Sequence, residues 1–402
     1  MTEKSENLIL GILAHVDAGK TTMAEGLLYH SGTLRTPGRV DHKDTFLDTF
    51  EMERARGITI FSKQARFTWK NRRYTLLDTP GHVDFSAEME RTLQVLDYAI
   101  LVISAPDGVQ GHDITLWNLL RQYQIPVFLF VNKMDMPGMK KEKVLENLHK
   151  YLDDRCIDFT DTDDRKEEIC DELAMCNEEL MQQYLEQQKV HQETVKKAIW
   201  DREVFPCYFG SALRLEGIEE FMNGLHSLVQ LPKYGEEFGA RVYKISRDPQ
   251  GIRLTHMKIT GGKLRVKGIL ESSQEEGKKE KADQIRLYSG MSYGLAEEVE
   301  AGEICAVTGL QESQAGMGYG AEPEGEEPML EPVLSYQICL PEGSDAHGIF
   351  LKLCQLEEEE PQLHIAWDEH TQEISAKVMG EVQIEVLKKL IHDRYDLDIK
   401  FG

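Results

Sequence analysis

Residues 8–22 read LILGILAHVDAGKTT, and the reading of this stretch decides the fold. The β-rich run Leu8 to Leu13 passes directly into Ala14-His15-Val16-Asp17-Ala18-Gly19-Lys20-Thr21, and a helical pattern starts at once. That is a P-loop in which Ala14 stands in the place of the usual first glycine. A phosphate needs backbone N–H groups facing it at a helix N-terminus, a lysine for the β and γ phosphates, and a hydroxyl for Mg2+. Lys20 and Thr21 supply the last two, and His15, Val16, Asp17, Ala18, Gly19 and Thr22 complete the expected nucleotide-binding loop.

Outward from the loop, short β-rich runs alternate with helical stretches: Ile58 to Phe67, Tyr74 to Leu77, Ala99 to Ile103, Val127 to Val131 and Phe205 to Tyr208. This alternation predicts an α/β P-loop domain over residues 1–232, a mostly parallel sheet with helices on both faces. Between the last two runs, over about 140–203, the chain is rich in Glu, Lys, Gln and Leu, which predicts an inserted helical subdomain. Beyond Pro232 strands come at close spacing: Arg241 to Ile245, Leu254 to Ile259, Leu264 to Ile269, Gln284 to Leu287 and Ile304 to Thr308. Glycines separate them, and a β-barrel domain is expected over 233–315. Glu312 to Pro332 is rich in Gly, Pro and Glu, a linker by composition. Residues 330–402 then follow a β-α-β-β-α-β order, which predicts a ferredoxin-like α+β domain.

A P-loop does not choose a base. Asn132-Lys133-Met134-Asp135 directly follows the apolar run Val127 to Val131. Asp135 can accept hydrogen bonds from the ring N–H and the exocyclic amine of guanine, two donors that adenine cannot present together. Ser211 and Ala212, with Leu213 next, stand where backbone N–H groups would meet the guanine carbonyl oxygen. In Asp78-Thr79-Pro80-Gly81-His82, Asp78 can hold Mg2+ through water, Gly81 lets its N–H approach the γ phosphate, and His82 can orient an attacking water. Thr59, in Arg56-Gly57-Ile58-Thr59, suits a loop that closes onto the metal when a γ phosphate is present. The expected catalytic residues are therefore Lys20, Thr59 and His82, and the expected metal ligands Thr21, Thr59 and Asp78. Arg54 and Arg56 have Glu51 and Glu53 beside them and are read as ion-paired rather than as an arginine finger.

The chain has 402 residues, enough for two or three domains. Acidic residues outnumber basic ones 70 to 46, a net charge of -24, which excludes a nucleic-acid clamp built on bulk positive charge. Nucleic-acid contact, if any, must then be local, and Lys263, Arg265 and Lys267 of the barrel are the candidates. Seven cysteines without a C-x-x-C pair argue against a disulfide framework and a zinc knuckle. His191, His226, His364 and His370 show no metal-ligand spacing. No apolar run is long enough to span a membrane, so a soluble cytoplasmic protein is expected; it is also expected to be a monomer in solution.

The segments AHVDAGKTT, ERARGITI, DTPGHVDFSAEMERTL, NKMD and GSA, in this order, resemble a translational GTPase of the elongation factor G branch. The insertion resembles that family's extra subdomain, and ITGGKLRVKG with VEAGEICAVTGL its β-barrel second domain. MGEVQIEVLKKLIHDRYDLDIKFG is similar to the third domain, in wording nearest to the tetracycline-resistance ribosomal protection proteins. The resemblance implies GTP and GDP bound with Mg2+, and GTP hydrolysis stimulated by a ribosome, with its RNA and proteins as partners. It also implies an apolar gate of Val16 and Ile58, opened when His82 swings inward, and a monovalent cation held with help from Asp17. Family members continue with further domains, so a fragment ending after the third is expected. A GTP-dependent binding module without hydrolysis is the alternative, opposed by the intact His82; a P-loop ATPase or kinase is opposed by Asp135.

Overall fold

The computed structural model describes residues 6–39, 45–47, 51–161, 166–273, 279–326, 328–341 and 343–402. They form two units: Met1–Gly81, Leu96–Lys233 and Tyr288–Ser292 in the first, and His82–Val95, Tyr234–Leu287 and Tyr293–Gly402 in the second. Among the described residues no helix is long and apolar enough to cross a membrane.

In the first unit β1 (Asn7–Ala14) is buried along its whole length, as a strand covered on both faces must be. After it come α1 (Lys20–His30), α2 (Glu51–Arg56), β2 (Lys63–Trp69) and β3 (Arg72–Asp78). Next is α3 (Ser86–Leu93), a helix of the second unit. The first unit resumes with β4 (Tyr98–Ser104), α4 (Gly111–Gln122), β5 (Val127–Asn132), α5 (Lys141–Tyr151) and β6 (Cys156–Asp158). It continues through α6 (Lys166–Ala174), α7 (Glu178–Gln187), α8 (Gln192–Trp200), β7 (Phe205–Phe209) and α9 (Ile218–Leu228). The sheet order is β2-β3-β1-β4-β5-β7-β6, parallel except for the β2–β3 hairpin. The loops after β1, β3, β5 and β7 therefore open at one edge, and the strand order reverses at β1.

Two expectations change here. Ile58 to Phe67 is not one strand, because Ile60 and Phe61 donate their N–H groups to the Glu53 carboxylate at 3.0 and 3.2 Å instead of to a sheet; pairing starts only at Lys63. Glu53 also pairs with Lys63, whereas the side chains of Glu51 and Arg54 lie outside the described residues. The insertion at 140–203 is not wholly helical either. It contributes β6, which pairs in parallel with β7 and extends the main sheet by one strand.

The second unit contains β8 (Gly239–Arg247), β9 (Arg253–Gly261), β10 (Lys263–Arg265), β11 (Ile269–Glu271) and β12 (Lys279–Lys281). These are followed by β13 (Gln284–Ser289) and β14 (Ser292–Ala296), apart from their residues within Tyr288–Ser292, and by β15 (Glu298–Glu300), β16 (Ile304–Thr308) and β17 (Gly318–Gly320). A six-stranded antiparallel sheet, β14-β13-β16-β9-β8-β17, and the pairs β10-β15 and β11-β12 enclose a core that includes Val242, Met257, Ile259, Ile285, Cys305 and Val307. Leu264 to Ile269 forms two strands, because the left-handed Lys267 turns the chain and Gly268 N–H closes on Arg265 O. Part of the expected linker, Gly318–Gly320, is paired with β8 as a strand of this domain. Tyr288–Ser292 groups with the first unit, where Gly290 N–H donates to Gln64 O and Arg66 N–H to Ser289 Oγ. Lys263 and Arg265 both pair with Glu298, and Lys267 with Asp283. Each of these exposed cations thus has an acidic partner at the surface, in pairs of the kind that contribute little to stability.

The remaining elements are β18 (Leu334–Cys339), α10 (Ala346–Glu359), β19 (Ala366–Asp368), β20 (Glu373–Val378), α11 (Glu381–Tyr395) and β21 (Lys400–Phe401). Their sheet, β19-β20-β18-β21, is antiparallel, and Ile338, Ile374 and Val378 meet Leu353, Leu356, Leu387 and Ile391 of the helices. α3 belongs with this unit through polar contacts. Asp84, just before it, accepts the Val382 N–H at 2.8 Å and caps α11, Glu90 accepts the Met329 and Leu330 N–H groups, and the buried Arg91 lies between Glu88 and Glu360.

His256 on β9 bonds Ser246 Oγ through Nε2 at 2.8 Å. Burial, reinforced by Lys244 and opposed by Glu88, pushes its pKa from 6.5 down to about 3. The unfolded chain therefore takes up this proton first. Its contribution to stability is complete above 6.5 and is lost as pH falls toward 3, by up to about 1.4 kcal/mol per pH unit. Chemical denaturation measured at about pH 7 and about pH 5 should show this loss, and His256→Gln should show a smaller one; equal losses would rule the residue out as the cause.

Candidate functional site

The loops after β1, β3, β5 and β7, at the carboxyl edge of the first unit's sheet, carry residues singled out above. Gly19, at φ +94°, precedes α1 and offers no side-chain cap, which leaves the first N–H groups of the helix uncapped by it. A Cβ at Gly19 would collide with the Asn132 side chain, so glycine serves both the left-handed backbone and the close approach. Asp17 also has positive φ, 63°. His15 N–H reaches Asp113 Oδ1 at 3.3 Å, and burial holds the Asp113 carboxyl above its ordinary range.

At the phosphate end of the expected site, Lys20 Nζ donates to Thr59 Oγ1 at 2.9 Å and pairs with Asp78 Oδ1. Thr59 Oγ1 in turn lies 3.3 Å from Asp78 Oδ2. Lys20, Thr59 and Asp78 are all buried, with Asp78 at 0% exposure. Three residues from three separate motifs thus meet. Gly81 closes the same corner, since a Cβ there would come within 3.2 Å of Ala14 O. Thr21 is buried in the first turn of α1 and Thr22 half-buried beside it.

At the base end Asn132 is a tie between loops. Its Nδ2 donates to Ala18 O at 2.8 Å, and its Oδ1 accepts the Ala212 N–H at 2.8 Å. Ser211 N–H donates to Glu216 O. Both N–H groups expected to meet the base are therefore engaged inside the protein, and Leu213, 57% exposed, follows them in the same turn. Met134 N–H donates to Gly210 O at 3.0 Å, which holds the loop after β5 against the loop after β7. Lys133 has φ 63° and its Nζ lies 3.8 Å from Asp107.

The sequence did not single out Arg214. Its Nε lies 3.0 Å from Asp135 Oδ2, with Arg214 58% and Asp135 15% exposed at the side chain. No local pattern marks this arginine, because its partner comes from a different loop. His82 belongs to the second unit. It caps the 3-10 turn Val83–Phe85, and its Nδ1 accepts the Asp84 N–H at 3.2 Å.

Comparison with known proteins matches two stretches of the chain to family models. The family model described as the elongation factor Tu GTP binding domain matches residues 5–231, and the one described as elongation factor G, domain III, matches 329–402. The chain is 32% identical to the tetracycline resistance protein TetP of Clostridium perfringens, over 98% of its own length and 64% of that protein. It is also 32% identical to the tetracycline resistance protein TetW of Butyrivibrio fibrisolvens, over 97% of this chain and 63% of that one. To elongation factor G of Mycoplasma pneumoniae it is 28% identical, over 98% of this chain and 67% of that protein. The chain thus spans somewhat less than two thirds of the two resistance proteins. A solved structure from Thermus thermophilus shares the fold, with a TM-score of 0.87 at 22% identity, over 99% of this chain and 67% of that one. The chain belongs to the family of the elongation factor Tu GTP-binding domain and carries, over residues 329–402, domain III of elongation factor G.

Proposed function

We propose that this chain binds guanine nucleotides and hydrolyses GTP with Mg2+, as the nucleotide switch of a translation factor of the elongation factor G or ribosomal protection type. The meeting of Lys20, Thr59 and Asp78 beside the open N-terminus of α1 carries this reading. A buried ammonium there suits the β and γ phosphates, and the uncapped first N–H groups of α1 suit their oxygens. Asp135 accepts the two donors of guanine, with Asn132 holding the P-loop and the loop after β7 in register around it. Thr21, Thr59 and Asp78 offer hard oxygen donors of the kind a Mg2+ ion takes alongside phosphate and water, and they would hold it. The bound ion would neutralise charge that develops on the phosphate oxygens.

His82, next in the chain after Gly81, orients the attacking water, which is positioning rather than covalent catalysis. Without a stimulating partner turnover should be slow, on the order of 10⁻² s⁻¹ or less. That partner is the ribosome, a reading supported by the relatives named elongation factor G and tetracycline resistance protein. The experiment is GTP turnover with and without ribosomes. His82→Ala should leave GDP affinity within about 2-fold of the parent and lower stimulated hydrolysis by about 10²-fold or more. Parental turnover in the His82→Ala protein would remove the residue from the mechanism.

A further inference from the structure

Glu53 of α2 is 0% exposed, and both oxygens of its buried carboxylate are engaged. Oε1 accepts the Ile60 N–H at 3.0 Å and the Phe61 N–H at 3.2 Å, and Oε2 pairs with the Lys63 ammonium. The main chain of the same residue takes part too, since Glu53 O accepts the Gly57 N–H at 2.7 Å. Gly57, at φ +68°, turns the chain out of the helix, and Ile60 and Phe61 then return to the Glu53 side chain.

The consequence falls on Thr59. It stands between the Gly57 turn and the pair Ile60 and Phe61, so one residue fixes the backbone on both sides of it. No β-ladder does this work here, because the pairing of β2 starts only at Lys63. Hydrogen bonds to an ionised acceptor are stronger than neutral ones, and burial keeps water from competing for it. The Thr59 hydroxyl held in this way accepts a hydrogen bond from Lys20 Nζ at 2.9 Å and lies 3.3 Å from Asp78 Oδ2.

We propose that Glu53 is a positioning residue for Thr59: it holds residues 57–61 in the shape that brings the Thr59 hydroxyl to the phosphate end of the site, and thereby favours a nucleotide with a γ phosphate over one without. The proposal rests on the nucleotide reading given above. A loop ordered before the ligand arrives loses less entropy on binding. GDP has no γ phosphate for Thr59 to approach, so its affinity should be insensitive to Glu53.

The test is calorimetry of the whole chain with GDP and with GMPPNP, a non-hydrolysable GTP analogue, in the presence of Mg2+. Glu53→Ala should weaken GMPPNP about 10-fold, as expected for one hydrogen bond to a charged group, and leave GDP within about 2-fold of the parent. Thr59→Ala should give the same loss, and Glu53→Ala should add nothing to it, because residues that act as one unit are not additive. Glu53→Gln combined with Lys63→Met keeps an acceptor oxygen for the two N–H groups without setting an amide against the ammonium, and should restore the parental ratio of affinities. A residue that served stability alone would move the melting temperature and not this ratio. If circular dichroism shows Glu53→Ala unfolded, Glu53→Asp, which withdraws the oxygens by one methylene, takes its place. Loss of GMPPNP affinity in Thr59→Ala but not in the Glu53 variant overturns the proposal alone, as do equal weakening of both nucleotides and additive losses in the double variant. No loss in Thr59→Ala, or no binding of either nucleotide by the parent, overturns the nucleotide reading and the proposal with it.

Discussion

Replacing Lys20 by Ala is expected to lower GDP and GTP affinity by about 10²- to 10³-fold, the effect of truncating one partner of a desolvated, hydrogen-bonded charge pair. It should also destabilise the nucleotide-free protein. Asp78 is fully buried, and its partners are the Lys20 ammonium and the Thr59 hydroxyl. Removing the ammonium leaves a buried carboxylate with a single neutral donor, a loss of about 3–5 kcal/mol. The two consequences separate in a double variant. Lys20→Met with Asp78→Asn removes the uncompensated charge and should recover most of the stability, while nucleotide affinity stays low. Denaturant titrations and calorimetry with GDP measure both. Unchanged stability in Lys20→Ala would mean that the pair with Asp78 does not exist in solution, and unchanged GDP affinity would exclude Lys20 from the nucleotide site.

Asp135→Asn should reverse the choice of base, from guanine toward xanthine nucleotides, by on the order of 10⁴-fold in relative affinity, since a site that loses its match to a buried donor discriminates strongly. Xanthine replaces the exocyclic amine of guanine with a carbonyl, and the amide of Asn can donate to it. The structure adds a control. Asp135 holds Arg214 at 3.0 Å, but the arginine is 58% exposed, so the pair is worth no more than about 1 kcal/mol and its loss should scarcely alter stability. A large fall in melting temperature in Asp135→Asn would therefore contradict the geometry. Arg214→Ala tests the pair alone and should leave the preference for guanine in place. Competition between GDP and XDP for a fluorescent nucleotide gives the answer, and continued preference for GDP in Asp135→Asn would refute the assignment of this residue.

Much of the candidate site was legible because each motif is local and directly follows an apolar run. Gly19-Lys20-Thr21, Asp78 to Gly81 and Asn132 to Asp135 come at the ends of β1, β3 and β5, and parallel strands deliver their carboxyl ends to one edge. Arg214 was not legible, because its partner lies in another loop. Nor was the part Asn132 plays in tying Ala18 to Ala212, since one amide can either read a ligand or join two loops and only position decides. The misread strand at Ile58 has the same kind of cause. Glu53, from the preceding helix, accepts the N–H groups that a β-ladder would have used.

By itself, then, the sequence determined the parallel sheet with its P-loop and the β-α-β-β-α-β order of residues 330–402. Those follow from the period of apolar residues and from glycines in short loops, properties carried by neighbours along the chain. Tertiary structure alone decided which charges meet: Lys20 with Asp78, Asp135 with Arg214, and the barrel lysines and arginine with Glu298 and Asp283. It alone set Asp84 and α3 among the groups of the second unit and joined β6 and β17 to their sheets. The physical reason is that ion pairs, helix caps and edge pairings depend on donors and acceptors far apart in the chain, which nothing in their local composition announces before the chain has folded.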